Sequence, residues 1–212
     1  MYIGRIVAVG MTPSGKAAAM YRVSSRSFPN RECALSGETV SVRPRPGFEA
    51  DLMKSPYITY NCIRLAGRYA IVSNGSHTDP IAEKIVMGMS PRDAITLGLL
   101  AMDYEKDSYN TPRIVAVADT QSDRGFLGII RHDAVLVQEV PLKPGQAWYL
   151  STYEKNEIRA ENTDTAFTAE SAAECCAHIV GGGAFAEFEL PVTAAAAVVS
   201  GLTSFELNVR TV

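Results

Sequence analysis

An α+β protein built on two stacked, mainly antiparallel sheets is predicted by three features of this 212-residue chain. Strand-like runs follow one another directly before any helical pattern begins, which favours antiparallel pairing over alternating βαβ units. Two helical stripes then interrupt, strands resume, and a later helix closes on three glycines. Nine or more candidate strands exceed one comfortable sheet, so two sheets stack with helices over their outer faces.

The elements follow in order. Tyr2 to Val9 is a β-type run, Thr12-Pro13-Ser14-Gly15 is a turn, and Ala17 to Ser25 returns as a second strand. Val40 to Arg43 is a short strand closed by Pro44 and Pro46, and Tyr57 to Leu65 and Tyr69 to Ser73 pair around Ala66-Gly67. Asp79-Pro80 reads as a helix cap followed by proline, with Ile81, Ile85 and Met89 on one stripe. Ser90-Pro91-Arg92-Asp93 repeats the start signal, and Ile95, Leu99 and Met102 form the next stripe. After Pro112 come Ile114 to Ala118, Phe126 to Ile130, Val135 to Val140 and Trp148 to Tyr153. A helix from about Glu170 to Val180 stops at Gly181-Gly182-Gly183, and Ser204 to Val209 is a last strand. The Ala194 to Ala197 run reads as close packing of small residues. No repeat or long linker divides the chain, so residues 1–212 are expected to form one domain.

Composition narrows the function. Hydrophobic residues make up 47% and charged residues 20%, as in a packed soluble protein. With 20 Lys and Arg against 23 Asp and Glu, the net charge is −3, without the basic excess of a general nucleic-acid binder. No run approaches the roughly 18 apolar residues of a membrane span, and the first residues lack a signal-peptide layout, so a cytoplasmic protein is expected. Cys33, Cys62, Cys175 and Cys176 form no C-x-x-C and read as free thiols; the three scattered histidines suggest no zinc site.

Several segments can carry chemistry. On a strand, Arg22, Ser24 and Arg26 share one face, and Arg31 follows the turn at Pro29; guanidinium groups beside a hydroxyl suit a multi-oxygen anion. Ordinary solvated charges are the plainer alternative. Tyr60 and Asn61 occupy opposite faces of a strand in which asparagine is unexpected. Asn74, Gly75 and Ser76 lead from a strand into a helix, where free N–H groups suit an oxyanion; a simple turn with a cap is the alternative. Asp103-Tyr104-Glu105 sets acids against a helix C-terminus, an unfavourable placement that marks a candidate site. Tyr153 ends the Trp148 strand and can add a hydroxyl.

Read together, MYIGRIVAVG, YRVSSRSFPNR, YNCIR, VSNGSHTD, LLAMDYEKD, NTPRI, STYE and PVTAAAA resemble the archaeal-type IMP cyclohydrolase family, in order from Met1 to about Ala197. The resemblance implies a four-layer αββα sandwich similar to N-terminal-nucleophile hydrolases. Met1-Tyr2 departs from that wider group by offering no Cys, Ser or Thr nucleophile. It implies ring closure of 5-formamido-1-(5-phosphoribosyl)imidazole-4-carboxamide to IMP with loss of water, as the last step of de novo purine synthesis. It also implies no metal or cofactor, no nucleic-acid or membrane partner, and a homo-oligomer such as a tetramer. On this reading Glu105 is the general base or a proton relay, Tyr60 and Asn61 orient the reacting groups, and Arg22 steadies phosphate or oxyanion. Arg26, Arg31, Ser24, Asn74, Gly75, Ser76, Tyr104 and Tyr153 bind substrate. The rivals are a non-catalytic purine-nucleotide sensor on the same scaffold and an amidohydrolase with an internal nucleophile.

Overall fold

The computed structural model describes residues 1–212. It contains a six-stranded and a seven-stranded sheet, both antiparallel throughout, and three α-helices. The strands are β1 (Ile6–Met11), β2 (Ala17–Ser24), β3 (Arg31–Ser36), β4 (Thr39–Pro44), β5 (Tyr60–Ala66), β6 (Tyr69–Ser73), β7 (Arg113–Asp119), β8 (Arg124–Ile130), β9 (Val135–Pro141), β10 (Gln146–Ser151), β11 (Thr163–Asp164), β12 (Pro191–Val199) and β13 (Phe205–Thr211). The helices are α1 (Thr78–Val86), α2 (Pro91–Met102) and α3 (Ala172–Gly181).

The smaller sheet runs β11-β10-β1-β2-β12-β13 and the larger β3-β4-β5-β6-β7-β8-β9. Three apolar layers separate four layers of backbone. Val7, Val9, Ala19 and Tyr21 meet Val42, Ile63, Val72 and Ala116 between the sheets. Ile6, Ala8, Ala18 and Met20 pack beneath α3 with Cys175, Cys176 and Ile179. Ile71, Val115 and Val117 pack beneath Ile81, Ile95 and Leu99 of α1 and α2. This is the expected αββα sandwich. Both faces of each sheet are covered, so the central strands are apolar on both sides rather than alternating. No helix is long and apolar enough to cross a membrane.

Three local expectations are corrected. Residues Arg31–Ser36 form β3, an edge strand that the reading from sequence passed over between Pro29 and Val40. The alanine run packs closely, as expected, within the buried strand β12, which lies between β2 and β13; small side chains allow α3 to sit close against it. Asp79 does not cap α1: His77 stands at the N-cap without a side-chain cap bond, and Asp79 lies in the first turn. The Ser90 cap of α2 holds as expected, accepting from the Asp93 amide at 3.3 Å. α3 begins later, capped by Ser171, and Gly182 after it is extended rather than left-handed.

Candidate active site

Antiparallel topology brings the start of β1, the ends of β2 and β10, and the starts of β3, β5 and β7 to one end of the sandwich. The loops there enclose a cavity of about 550 Å³. Its walls come from five segments: Tyr2 and Arg5; Ser25, Arg26, Ser27, Phe28 and Arg31; Lys54, Ser55, Tyr57 and Ile58; Glu105, Asp107, Ser108 and Tyr109; Tyr153 and Glu154. Backbone strain gathers around it. Asp103, Asn110 and Glu154 are non-glycine residues with φ of 54°, 48° and 61°. Such left-handed residues mark sites where the surroundings dictate the backbone.

Glu105 lies on the cavity wall and is 2% exposed. Arg5 donates from Nη2 to its Oε2 at 3.0 Å. The other oxygen, Oε1, is buried and has no hydrogen-bond partner; Arg113 Nη1 stops 3.9 Å away. Burial pushes the Glu105 carboxyl above the usual carboxylate range, against the opposing pull of Arg5 and then Arg113. Burial acts to discharge Arg5, but Glu105 and the phenols of Tyr60, Tyr21 and Tyr153 outweigh it and hold the guanidinium charged. The result is an ion pair with one unspent acceptor beside a cavity.

Gly4 makes this packing fit. Its φ is +74°, and a Cβ there would overlap Thr152 Oγ1 and approach the Tyr153 ring to 2.9 Å. Tyr153 donates to or accepts from Thr111 Oγ1 at 2.9 Å, and Thr111 in turn holds Asp107, which accepts from the Thr111 and Tyr109 amides. The Glu105–Tyr109 loop is thereby tied down at both ends.

Arg31, almost wholly buried, is anchored by its Nε on the Phe28 carbonyl at 3.1 Å. Arg26 lies beyond the end of β2 and stacks its guanidinium 4.0 Å over the Tyr2 ring. Lys54 completes a cationic wall and is paired with Asp51 at 2.6 Å. Tyr60, just behind the cavity, shares a 2.6 Å hydrogen bond with Tyr21 across the gap between the sheets. Burial pushes its phenol up to about 12 despite Arg31 and Arg5, so at neutral pH it is a hydroxyl able to donate. No group of three or more His, Cys, Asp or Glu side chains is placed to hold a metal ion.

Of the residues singled out from sequence, Glu105, Arg26, Arg31 and Tyr153 line the cavity, and Tyr60 adjoins it. The others do not. Arg22 and Ser24 face α3, on the opposite side of the sheet. Arg22 donates from Nε to Ser24 Oγ on its own strand and from both Nη atoms to the carbonyls of Ile179, Val180, Phe185, Phe188 and Glu189, at the end of α3 and in the segment after it. Burial alone lowers its pKa to about 10, still protonated at neutral pH. Asn61 lies on the helix-covered face of the larger sheet, donating to Asp79 at 2.9 Å beside Arg64. Asn74 bridges β6 to β7 by accepting from the Ile114 amide and donating to the Pro112 carbonyl. Gly75 and Ser76 are not on the cavity wall, and Tyr104 turns outward, with Lys106 Nζ 3.6 Å over its ring.

Sequence reasoning passed over Arg5, Tyr2, Tyr21, Tyr57 and Lys54. Arg5 carried a signal, being a charge at the mouth of an apolar strand. Tyr21 carried none, because strand alternation places it opposite Arg22 without saying which face meets the other sheet.

Comparison with known proteins now decides the family. Residues 2–202 match the family model described as IMP cyclohydrolase-like protein. This chain belongs to that family. Among relatives named IMP cyclohydrolase, the one from Methanosphaera stadtmanae is 47% identical over 197 residues, covering 93% of this chain and 94% of its own. The one from Methanocaldococcus jannaschii is 46% identical over 200 residues, covering 94% of each. The one from Methanococcus aeolicus is 43% identical over 201 residues, covering 95% of this chain and 97% of its own. The family resemblance read from the motifs therefore extends over nearly the whole chain.

Proposed function

We propose that this chain is an IMP cyclohydrolase acting in the cyclising direction, and that the cavity holding Glu105 is its active site. The observation that carries the reading is the buried Glu105–Arg5 pair, with Oε1 unmet, beside a cavity lined by Arg26, Arg31 and Lys54. The substrate carries a 5′-phosphate and a ribose at one end and two amide-like groups at the other. The exposed cations Arg26 and Lys54 suit the phosphate, with Ser25 and Ser27 adding hydroxyls. That orientation sends the imidazole towards Glu105, Arg5 and Tyr60.

An amide nitrogen is a weak nucleophile, so it needs a base as it attacks. Glu105 Oε1 accepts the carboxamide proton while the nitrogen bonds to the formyl carbon. The charge growing on the formyl oxygen is met by the cations and phenol nearby, Arg31 and Arg5 both acting electrostatically on the Tyr60 hydroxyl. The proton held by Glu105 passes to the formyl oxygen and gives a hydroxyl adduct; the hydroxyl then leaves as water on taking the proton that the former formamide nitrogen gives up. One water is lost and the purine ring is complete. Holding both reacting groups of one molecule in contact supplies a further share of the acceleration.

The deciding experiment mixes purified protein with the formylated carboxamide ribonucleotide and follows ultraviolet absorbance, with chromatography for IMP. Catalytic IMP formation supports the reading. Binding without turnover overturns it in favour of a nucleotide sensor, and neither binding nor turnover overturns the site assignment as well.

A further inference from the structure

Arg113 opens β7 in the NTPRI segment and is 5% exposed. Its Nε donates to the Asp103 carbonyl at 2.7 Å, bracing the residue whose φ of 54° turns the chain from α2 into the Glu105 loop. Its Nη1 lies 3.9 Å from Glu105 Oε1, inside ion-pair range and outside hydrogen-bond range. The guanidinium carbon is 6.0 Å from the centre of the Tyr57 ring, which lines the cavity. Beneath it lies Gly75, where a Cβ would overlap Arg113 Nη1 and come within 3.2 Å of His77 Nδ1. Only glycine at 75 leaves that path open. His77 is buried; its Nε2 bonds the Ile114 carbonyl at 3.1 Å and its Nδ1 has no partner.

We propose that Arg113 is a positioning residue for Glu105: passing over the bare face of Gly75, it holds the buried carboxylate ionised and oriented while leaving Oε1 free for the substrate's amide proton. Two guanidinium groups thus divide the labour. Arg5 takes Oε2 by a direct hydrogen bond, and Arg113 supplies charge to Oε1 without occupying it. A closer Arg113 would consume the acceptor, and a more distant one would leave Arg5 and Arg31 to oppose burial without it. Gly75 contributes by admitting the guanidinium, in place of the direct substrate contact expected from its sequence context. The charged groups acting on Glu105 are Arg5, Arg113, Asp107 and Arg31, so removing one cation leaves the rest as an internal reference.

The kinetic arm of this inference rests on the cyclohydrolase reading; the titration arm does not. Protein labelled with carboxyl-13C glutamate gives the Glu105 resonance, assigned by its loss in Glu105→Gln, and its midpoint is compared in wild type, Arg113→Met, Arg113→Lys and Gly75→Ala. Arg113→Met moves the midpoint up by about one pH unit, the size expected for losing one nearby opposite charge. Gly75→Ala moves it the same way, because the added methyl displaces only the flexible end of Arg113. Arg113→Lys restores most of the shift. The acid limb of kcat/KM moves up in parallel, so that kcat/KM of Arg113→Met falls ~10-fold at pH values below both midpoints and is unchanged well above them, the consequence of a one-unit shift. An unmoved midpoint in both Arg113→Met and Gly75→Ala overturns the proposal. If Arg113→Met does not fold, Gly75→Ala decides alone. Wild-type protein without turnover overturns the proposed activity, and the titration still decides this inference.

Discussion

Arg5 and Glu105 meet across 100 positions of sequence, Nη2 to Oε2 at 3.0 Å, with Glu105 almost wholly buried and Arg5 nearly so. One comes from the segment just before β1 and the other from the loop after α2, so neither segment alone contains a site. The pair keeps a carboxylate charged where burial favours the neutral acid. A base in that condition takes up its proton at a higher pH than an ordinary carboxylate does.

Glu105→Gln keeps the shape and removes the base. It lowers kcat by about 10²- to 10⁴-fold, the usual contribution of a positioned acid or base, with a smaller change in KM. In the wild type kcat/KM falls as pH drops through the raised Glu105 pKa, above the ordinary carboxylate range. In Glu105→Gln the residual rate is flat over that interval. A pH profile of each checks both statements.

Arg26 stands at the exposed edge of the cavity, held only by its stack on Tyr2. Arg26→Ala therefore acts on binding. Loss of one charge-assisted bond to phosphate raises KM about tenfold and leaves kcat within a factor of a few. Steady-state kinetics separates the two; an equal fall in kcat and kcat/KM would contradict the assignment.

Arg22 is spent on structure. Arg22→Ala empties a buried site and removes a donor from five carbonyls, of which Phe185's keeps the Phe188 amide, at a cost of roughly 3–5 kcal/mol of stability. Below its lowered melting point the variant keeps wild-type KM, because Arg22 faces α3 and not the cavity. Urea denaturation and kinetics at low temperature test the two halves.

His77 is held neutral in the folded state: burial, then Arg113, lower its pKa to about 3. The unfolded chain takes up a proton near the ordinary value of about 6.5 and the folded chain does not. Its contribution to stability is therefore complete above pH 6.5 and is lost as pH falls towards 3, at up to ~1.4 kcal/mol per pH unit. His77→Gln removes that titration and flattens the acid side of the stability curve, measured by denaturant midpoints from pH 7 to pH 4.

The sandwich was legible because strand runs, the Ser90 cap and the Asp103 break carry local chemistry that folding preserves. β3 escaped because a charged edge strand reads like a loop, and β12 because alanines carry no strand preference of their own. For the site, alternation correctly placed Arg22 with Ser24 and opposite Tyr21. It could not say which face meets the second sheet, since α3 covers one side and β5 to β7 the other. Arg26 reached the cavity because β2 stops at Ser24, freeing the chain from alternation. Asn61 was misplaced by the same symmetry, its face being fixed only by the helix packed on it.

The two sheets draw on the chain in different ways. The larger uses Arg31–Pro141, each strand beside its neighbour in sequence, whereas the smaller joins β1 and β2 to β10 and β12 from the far end. Sequence-local pairings close at lower entropic cost, so the larger sheet is favoured to form early and the smaller must wait. A ribosome delivering this chain from its N-terminus releases β1 and β2 long before their second partners exist. The Arg5–Glu105 cavity, built from both sheets, is therefore a late product of folding, and a nascent chain ending before β12 has no complete floor on which to do chemistry.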